Sequence, residues 1–339
     1  SQIRRDIVRM VHACQSGHPG GSLGCTDFFV ALYFHHLKHD PKFNMDGKGE
    51  DLFFLSNGHI SPVWYSTLAR AGFFDVKELA TFRKLNSRLQ GHPATEEGLE
   101  GIRIASGSLG QGLSVAVGAA QTKKLNKDNN LVYVLMGDGE VEEGQVWEAA
   151  MYAAHHKVDN IIATIDRNGQ QIDGSTEEVM NLGSLRAKFE AFGWTVLEAD
   201  GNNFETLIPG LQQAKAETGK GKPVMLLMNT EMGFGVDFMM GSHKWHGVAP
   251  NDEQLQQVVR LYFVTDAGRE AAILLIDRHL AEAVRAFGIE RHLGRIDDAV
   301  VERRRRHVDA PVAGVHGGVG QGGVDTVGIA ERGAEREHA

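Results

Sequence analysis

Apolar positions along this chain switch between two periods. Ile3, Ile7, Met10, Val11 and Cys14 recur at helical spacing and predict an amphipathic helix over about residues 2–14. It should stop at Ser16-Gly17-His18-Pro19-Gly20-Gly21, where glycines free the backbone and Pro19 cannot continue a helix, leaving His18 on a tight loop. A second helix is expected from Cys25 to Leu37. Phe53, Phe54 and Leu55 form a short buried strand that leads into Ser56-Asn57-Gly58-His59, with a helix from Val63 to Ala71 behind it. Gly91-His92-Pro93 again sets a histidine at a glycine junction. Ser106-Gly107-Ser108-Leu109-Gly110-Gln111-Gly112 precedes a small-residue helix from Leu113 to Thr122.

The segment from Leu131 to Asn168 carries the most information. An apolar strand ends at Gly137-Asp138-Gly139, a helix-period stretch follows, and a second strand (Ile161 to Ile165) ends at Asp166-Arg167-Asn168. Further strands are expected at Thr195 to Glu198 and Val224 to Met228, with a helix around Phe204 to Glu217 between them. Strand and helix alternate, which predicts an α/β fold: a parallel sheet with helices on both faces. Ligands of such sheets gather at the carboxyl ends of the strands, where Asp138 and Asn168 both fall. One carboxylate, one amide oxygen and the Gln170 carbonyl would leave a magnesium ion room for a diphosphate. Gly137 and Gly139 allow close backbone approach, and the following helix offers its positive end. A Gly-Asp-Gly tripeptide alone is weak, since a strand-to-helix turn with an Asp cap explains it equally. The second oxygen ligand thirty residues later is what makes it informative.

The 339 residues, 42% hydrophobic and 23% charged, suffice for one large domain or two smaller ones. A formal charge of −9 argues against general nucleic-acid binding. Two cysteines, Cys14 and Cys25, make no disulfide framework and fit a reducing cytoplasm. No apolar run reaches the roughly 20 residues of a membrane span. The glycines of GSLGQG are spaced G-x-x-G-x-G, which is neither the dinucleotide fingerprint nor the ATP-type loop.

With SGHPGGSL, LSNGH, RLQGHP, GSLGQGLSVAVG, GDGEVEEGQVWEA, DRNGQQIDG and WHGVAP in order, the chain resembles the thiamine diphosphate-dependent transketolases from Ile3 to about Gln257. The match is closest to the N-terminal subunit of split transketolases. The resemblance implies thiamine diphosphate with Mg2+ (or Ca2+ or Mn2+) held by Asp138, Asn168 and the Gln170 carbonyl, with Gly139 on the diphosphate. It implies His59 and His246 near the diphosphate and Gly107, Ser108 and Leu109 around the cofactor rings. His18, His92 and His246 match histidines that contact the sugar. Glu143 matches a residue buried at the subunit interface, and Asp166 is expected to support the metal site without ligating it. Histidines suit ketose cleavage because they donate and accept protons near neutral pH. By contrast His35, His36, His155 and His156 lie in helix patterns and are expected to be structural, while His243 stays unassigned.

The family's pyrimidine-binding domain has no counterpart in this sequence. The implied assembly is therefore a dimer of heterodimers with a C-terminal pyrimidine-binding chain, acting on sugar phosphates, without nucleic acid or membrane. Alternatives are a related synthase of the deoxyxylulose-phosphate or dihydroxyacetone type, and a truncated, non-catalytic subunit; Gly91-His92-Pro93 and the Pro19 loop favour transketolase over the deoxyxylulose-phosphate type. The cofactor domain is expected over residues 1–259, a helical extension over 260–309 and disorder over 310–339, where large apolar residues are few. Arg303 to Arg306 read as a solvated charge run, and the Arg-, Gly- and Val-rich tail is also what a shifted reading frame would produce.

Overall fold

The computed structural model describes residues 1–264. Expectations for the chain beyond them, including most of the helical extension over 260–309 and the disorder over 310–339, lie outside the described residues.

Five parallel strands form the central sheet: β1 (Leu52–Leu55), β2 (Val132–Gly137), β3 (Ile161–Arg167), β6 (Thr195–Asp200) and β7 (Val224–Asn229), in the order β1-β2-β3-β7-β6. Between β3 and β6 lies a small excursion, the antiparallel pair β4 (Gln170–Gln171) and β5 (Gly174–Ser175) and the one-turn helix α7 (Thr176–Val179). The inner strands are apolar without alternation and nearly every residue is buried, so both faces must be covered. Helices α5 (Gly112–Leu125) and α6 (Gly144–His155) pack together, and Trp147 of α6 lies against Phe189 of α8 (Leu185–Ala191). Helix α9 (Phe204–Glu217) packs on β6, β7 and α3 (Thr26–Ala31), while α1 (Gln2–Cys14) packs on α4 (Ser61–Arg70) and on α10 (Asp252–Val264).

Two expectations change. The glycine-rich stretch after α1 is not all loop: α2 (Pro19–Gly24) starts at Pro19, with His18 as its N-cap. Proline is tolerated there because a first-turn N–H has no partner inside the helix. The single helix from Cys25 to Leu37 is instead α3 followed by a π-helical turn, Leu32–His36, which closes with Leu37 N–H donating to the Leu32 carbonyl at 2.7 Å. Helix α10 continues past residue 259 to Val264.

Close approach at the carboxyl edge of the sheet depends on glycine. A Cβ on Gly58 would lie 2.2 Å from the Ser106 carbonyl oxygen, and one on Gly112 would lie 2.3 Å from the Ser56 side chain. Gly118, on α5, would meet nothing within 4 Å. Urea denaturation at constant m-value should therefore show Gly58→Ala destabilised by about 1–3 kcal/mol, the usual range for overpacking, or more. Gly118→Ala should gain about 0.5–1 kcal/mol from helix propensity. Equal behaviour of the two variants would contradict the close contact at Gly58.

Candidate active site

The β2–β3 pairing sets Gly137 opposite Asp166, and Asp138 N–H donates to the Asp166 carbonyl at 3.2 Å. Asp138 therefore leaves the sheet beside the Asn168 loop. One of its carboxylate oxygens accepts from Gly139 N–H at 2.9 Å, and the other from Gly169 N–H at 2.6 Å. Two strand ends are tied by one buried side chain. Asn168 is oriented from beneath: its Nδ2 donates to Asp166 Oδ2 at 3.0 Å, while Oδ1 accepts from Gln170 N–H at 2.9 Å. Asp166 also accepts from Thr230 Oγ1 and from the Cys25 thiol.

Above this corner is an open cavity of about 380 Å³. Among its walls are Gly107, Leu109, Asp138, Gly139, Asn168 and Gln170, together with His18, His59, His92 and His246. The histidines come from four separate segments: the α2 N-cap, the 3-10 turn Gly58–Ile60, the 91–94 loop and the residue after the turn His243–Trp245. Ring centroids are 5.1 Å apart for His18–His59, 5.4 Å for His18–His246, 5.0 Å for His59–His246 and 6.2 Å for His18–His92. Burial, then repulsion from His246, Arg83 and His92, lowers the His18 pKa to about 4, and burial with repulsion from the neighbouring rings holds His59 well below the usual range. Burial also lowers His92 and His246. These rings are neutral at pH 7, each with one donor and one acceptor nitrogen.

Not every expected residue faces the cavity. Ser108 is exposed and does not line it, and neither do His35, His36, His155, His156 and His243. Glu143 is exposed within this chain, at the cavity wall. The structure adds Asn57, Glu140, Glu142, Gln171, Ile172 and Met232. Glu140, only 2% exposed, was hidden inside an acidic string.

Charge at the cavity is lopsided. Asp138, Glu140, Glu142, Glu143 and Asp166 line it, with no lysine or arginine beside them among the described residues. Burial, reinforced by the Asp166 charge, raises the Asp138 carboxyl to about 7 despite its backbone donors. A diphosphate could settle against such walls only with a cation between. Among the described residues no group of three or more His, Cys, Asp or Glu is placed to share a metal ion. A cation here must then draw on amide and carbonyl oxygens as well as the Asp138 carboxylate, the donor set that Mg2+ accepts. The fit extends to unsatisfied atoms: His18 Nδ1, His246 Nδ1 and Asn57 Oδ1, all on residues of the cavity wall, are buried without a partner among the described residues. Buried polar atoms usually have one, so a polar ligand suits this wall.

The sequence and the fold both match known proteins. A family model described as the transketolase thiamine diphosphate binding domain matches residues 1–270. An apulose-4-phosphate transketolase subunit from Phocaeicola vulgatus is 42% identical over 257 residues, covering 76% of this chain and 90% of that protein. The 6-deoxy-6-sulfo-D-fructose transketolase subunit SqwG of a Clostridium species is 40% identical over 257 residues, covering 76% of this chain and 92% of that protein. The crystal structure of transketolase from Campylobacter jejuni superposes with a TM-score of 0.70 at 35% identity, covering 76% of this chain and 40% of that one. The chain thus spans about two fifths of that solved transketolase. The family model over residues 1–270 and the 42% identity to a subunit-sized relative place this chain in the transketolase family, with the thiamine diphosphate-binding domain.

Proposed function

We propose that this chain is the diphosphate-binding subunit of a two-chain transketolase, moving a two-carbon ketol unit from a ketose phosphate, or a similarly anionic ketose, to an aldose phosphate. The observation that carries it is the meeting of the Asp138–Asn168 corner with four neutral histidines in one cavity. When bound, thiamine diphosphate supplies the carbon–carbon bond chemistry. Asp138, Asn168 and the Gln170 carbonyl would hold its Mg2+, and the Gly137–Gly139 turn would admit the diphosphate without a Cβ in the way.

The protein's share is placement and proton handling. Neutral His18, His92 and His246 can donate to a sugar oxygen through one ring nitrogen and accept a hydroxyl proton through the other. His59, buried among them, would approach the diphosphate, and Leu109 with Gly107 would shape the ring end of the pocket. No described lysine or arginine lines the cavity, though Arg83 lies near His18 and His92, and a partner chain is a natural source of further cationic groups for the anionic end of the sugar. Relatives named as transketolase subunits, of nearly the same length as the matched region, support a partner.

Helix α5 supports it physically. It is apolar or small nearly all round, a composition suited to a helix buried on every side. Yet Val115 is 41% exposed, and on the neighbouring α6 Met151 and Tyr152 are 58% and 45% exposed. An exposed apolar face of this kind, with Glu148 of α6 as its charged neighbour, suits a protein partner.

Calorimetry should show Mg2+-dependent binding of thiamine diphosphate to the assembled enzyme. Asp138→Ala should weaken it more than about 100-fold, since losing merely an outer partner of a metal ligand typically costs about 10–100-fold; retained affinity would contradict the metal assignment. Ketol transfer by the purified chain alone would contradict the two-chain proposal.

Because a Cβ on Gly118 meets nothing in the isolated chain, Gly118→Trp should fold with a Tm no lower than that of the wild type yet fail to co-sediment with the pyrimidine-binding chain. Normal assembly would exclude α5 from the interface.

The histidine cluster predicts a pH dependence. With His18 at about 4 in the folded chain and 6.5 unfolded, the unfolded state binds more protons between those values. Its contribution to stability is complete above pH 6.5 and is lost as the pH falls toward 4. Proton NMR should show the His18 ring staying neutral through pH 6; a midpoint near 6.5 would refute its burial with His246 and His59.

A further inference from the structure

Glu140 is the buried acidic side chain that the ligand roles above leave without work. It lies on the 3-10 turn Gly139–Glu142, just past the β2 end, and is 2% exposed. Among the described residues no lysine or arginine pairs with it. Three donors from three segments converge on it instead. Ser56 Oγ, at the end of β1, donates to Oε1. Gly110 N–H, in the 106–112 loop, donates to Oε1 at 2.7 Å, and Gly137 N–H, at the end of β2, donates to Oε2 at 3.0 Å. Ser56 Oγ in turn accepts from Gly112 N–H at 3.0 Å. A second tie holds the same loop, since Gln145 Nε2 donates to the Leu109 carbonyl at 3.2 Å.

We infer that Glu140 is a positioning residue: it fixes the 106–112 loop, and with it Leu109 and Gly107 of the cavity wall, to the turn that carries Asp138. The loop has no strand or helix of its own before Gly112, so these bonds and the glycine contacts decide where it stands. Only a carboxylate accepts on both oxygens. A glutamine of the same volume would turn its NH2 either toward Gly137 N–H or toward Ser56 Oγ and Gly110 N–H, and a buried donor without an acceptor is costly. In this way the diphosphate end and the ring end of the pocket share one anchor. This inference rests on the transketolase reading only for the identity of the ligand.

The test uses Glu140→Gln and, as a milder variant, Ser56→Ala, in the full chain with its partner. Amide hydrogen exchange should rise at least tenfold at Gly110 or at Gly137 in Glu140→Gln, whichever faces the new NH2, with the β3 and β7 amides unchanged. Ser56→Ala should release Gly112 and leave Gly110 protected. Calorimetry with thiamine diphosphate and Mg2+ should show at least tenfold weaker binding in Glu140→Gln. Exchange rising throughout the sheet would mean a general structural role and would overturn the inference, as would unchanged exchange in Glu140→Gln or unchanged cofactor affinity once the loop is released. Wild-type enzyme that does not bind thiamine diphosphate would instead count against the proposed function, and the exchange data would still decide the role of Glu140.

Discussion

The register between β2 and β3 is the constraint from which the site follows. Parallel pairing advances two strands together, so setting Gly137 opposite Asp166 makes both chains leave the sheet at the same level. A slip of one residue would turn Asp138 to the other face and separate it from Gly169. Buried, unbroken apolar runs on both faces make such a slip expensive, because each strand would carry its polar terminus into the core. The hydrophobic sheet is therefore what aims the oxygens. The Asp138–Gly169 hydrogen bond then locks two loops that the backbone alone only brings close.

Around that corner, segments distant in sequence approach with almost no space between them. Gly20 lies where a Cβ would meet the Trp245 carbonyl at 2.7 Å, and Gly233 N–H donates to the Gly20 carbonyl at 2.9 Å. The α2 N-cap His18 and the segment bearing His246 are thus brought together through backbone contact. Each histidine is placed by a different segment, but each ring centroid lies between 5.0 and 6.2 Å from another. Burial is what keeps them neutral, and for His18 and His59 the neighbouring rings add to it.

Much of this was legible in the sequence because it depends on local patterns. Periodicity located α1 and α9 and the cores of all five long strands to within a residue or two. The glycine-flanked histidines signalled sites where backbone geometry matters. What was not legible depends on pairing across the chain. Glu140 read as one of several acids in GEVEEG; only the 3-10 turn sends it inward while Glu143 stays exposed. Its three donors lie at 56, 110 and 137, and no spacing rule connects them. The thiol of Cys25 on Asp166 spans 141 positions and is equally invisible. Ser108 shows the opposite case: Gly107 and Leu109 on either side of it line the cavity, while Ser108 itself is exposed and off the wall. The π-helical turn after α3 has no signature in hydrophobic spacing, which a helix of either type satisfies.

The charge of the cavity links these levels. Five carboxyl-bearing residues without a cationic side chain would repel a diphosphate and a sugar phosphate alike. Two of the acids, Glu140 and Asp166, already spend their oxygens on protein donors and act as internal anchors. Asp138 is different, because its carboxyl is held near 7 by burial and by Asp166, and a divalent cation would relieve that cost directly. Glu142 and Glu143 remain toward the opening, where no described lysine or arginine neutralises them. An acidic rim together with an exposed apolar helix face is a surface that a second chain with basic groups complements well. On the proposed function, the same acidity that makes this half a poor anion site alone makes it selective for a metal-bound diphosphate and receptive to its partner.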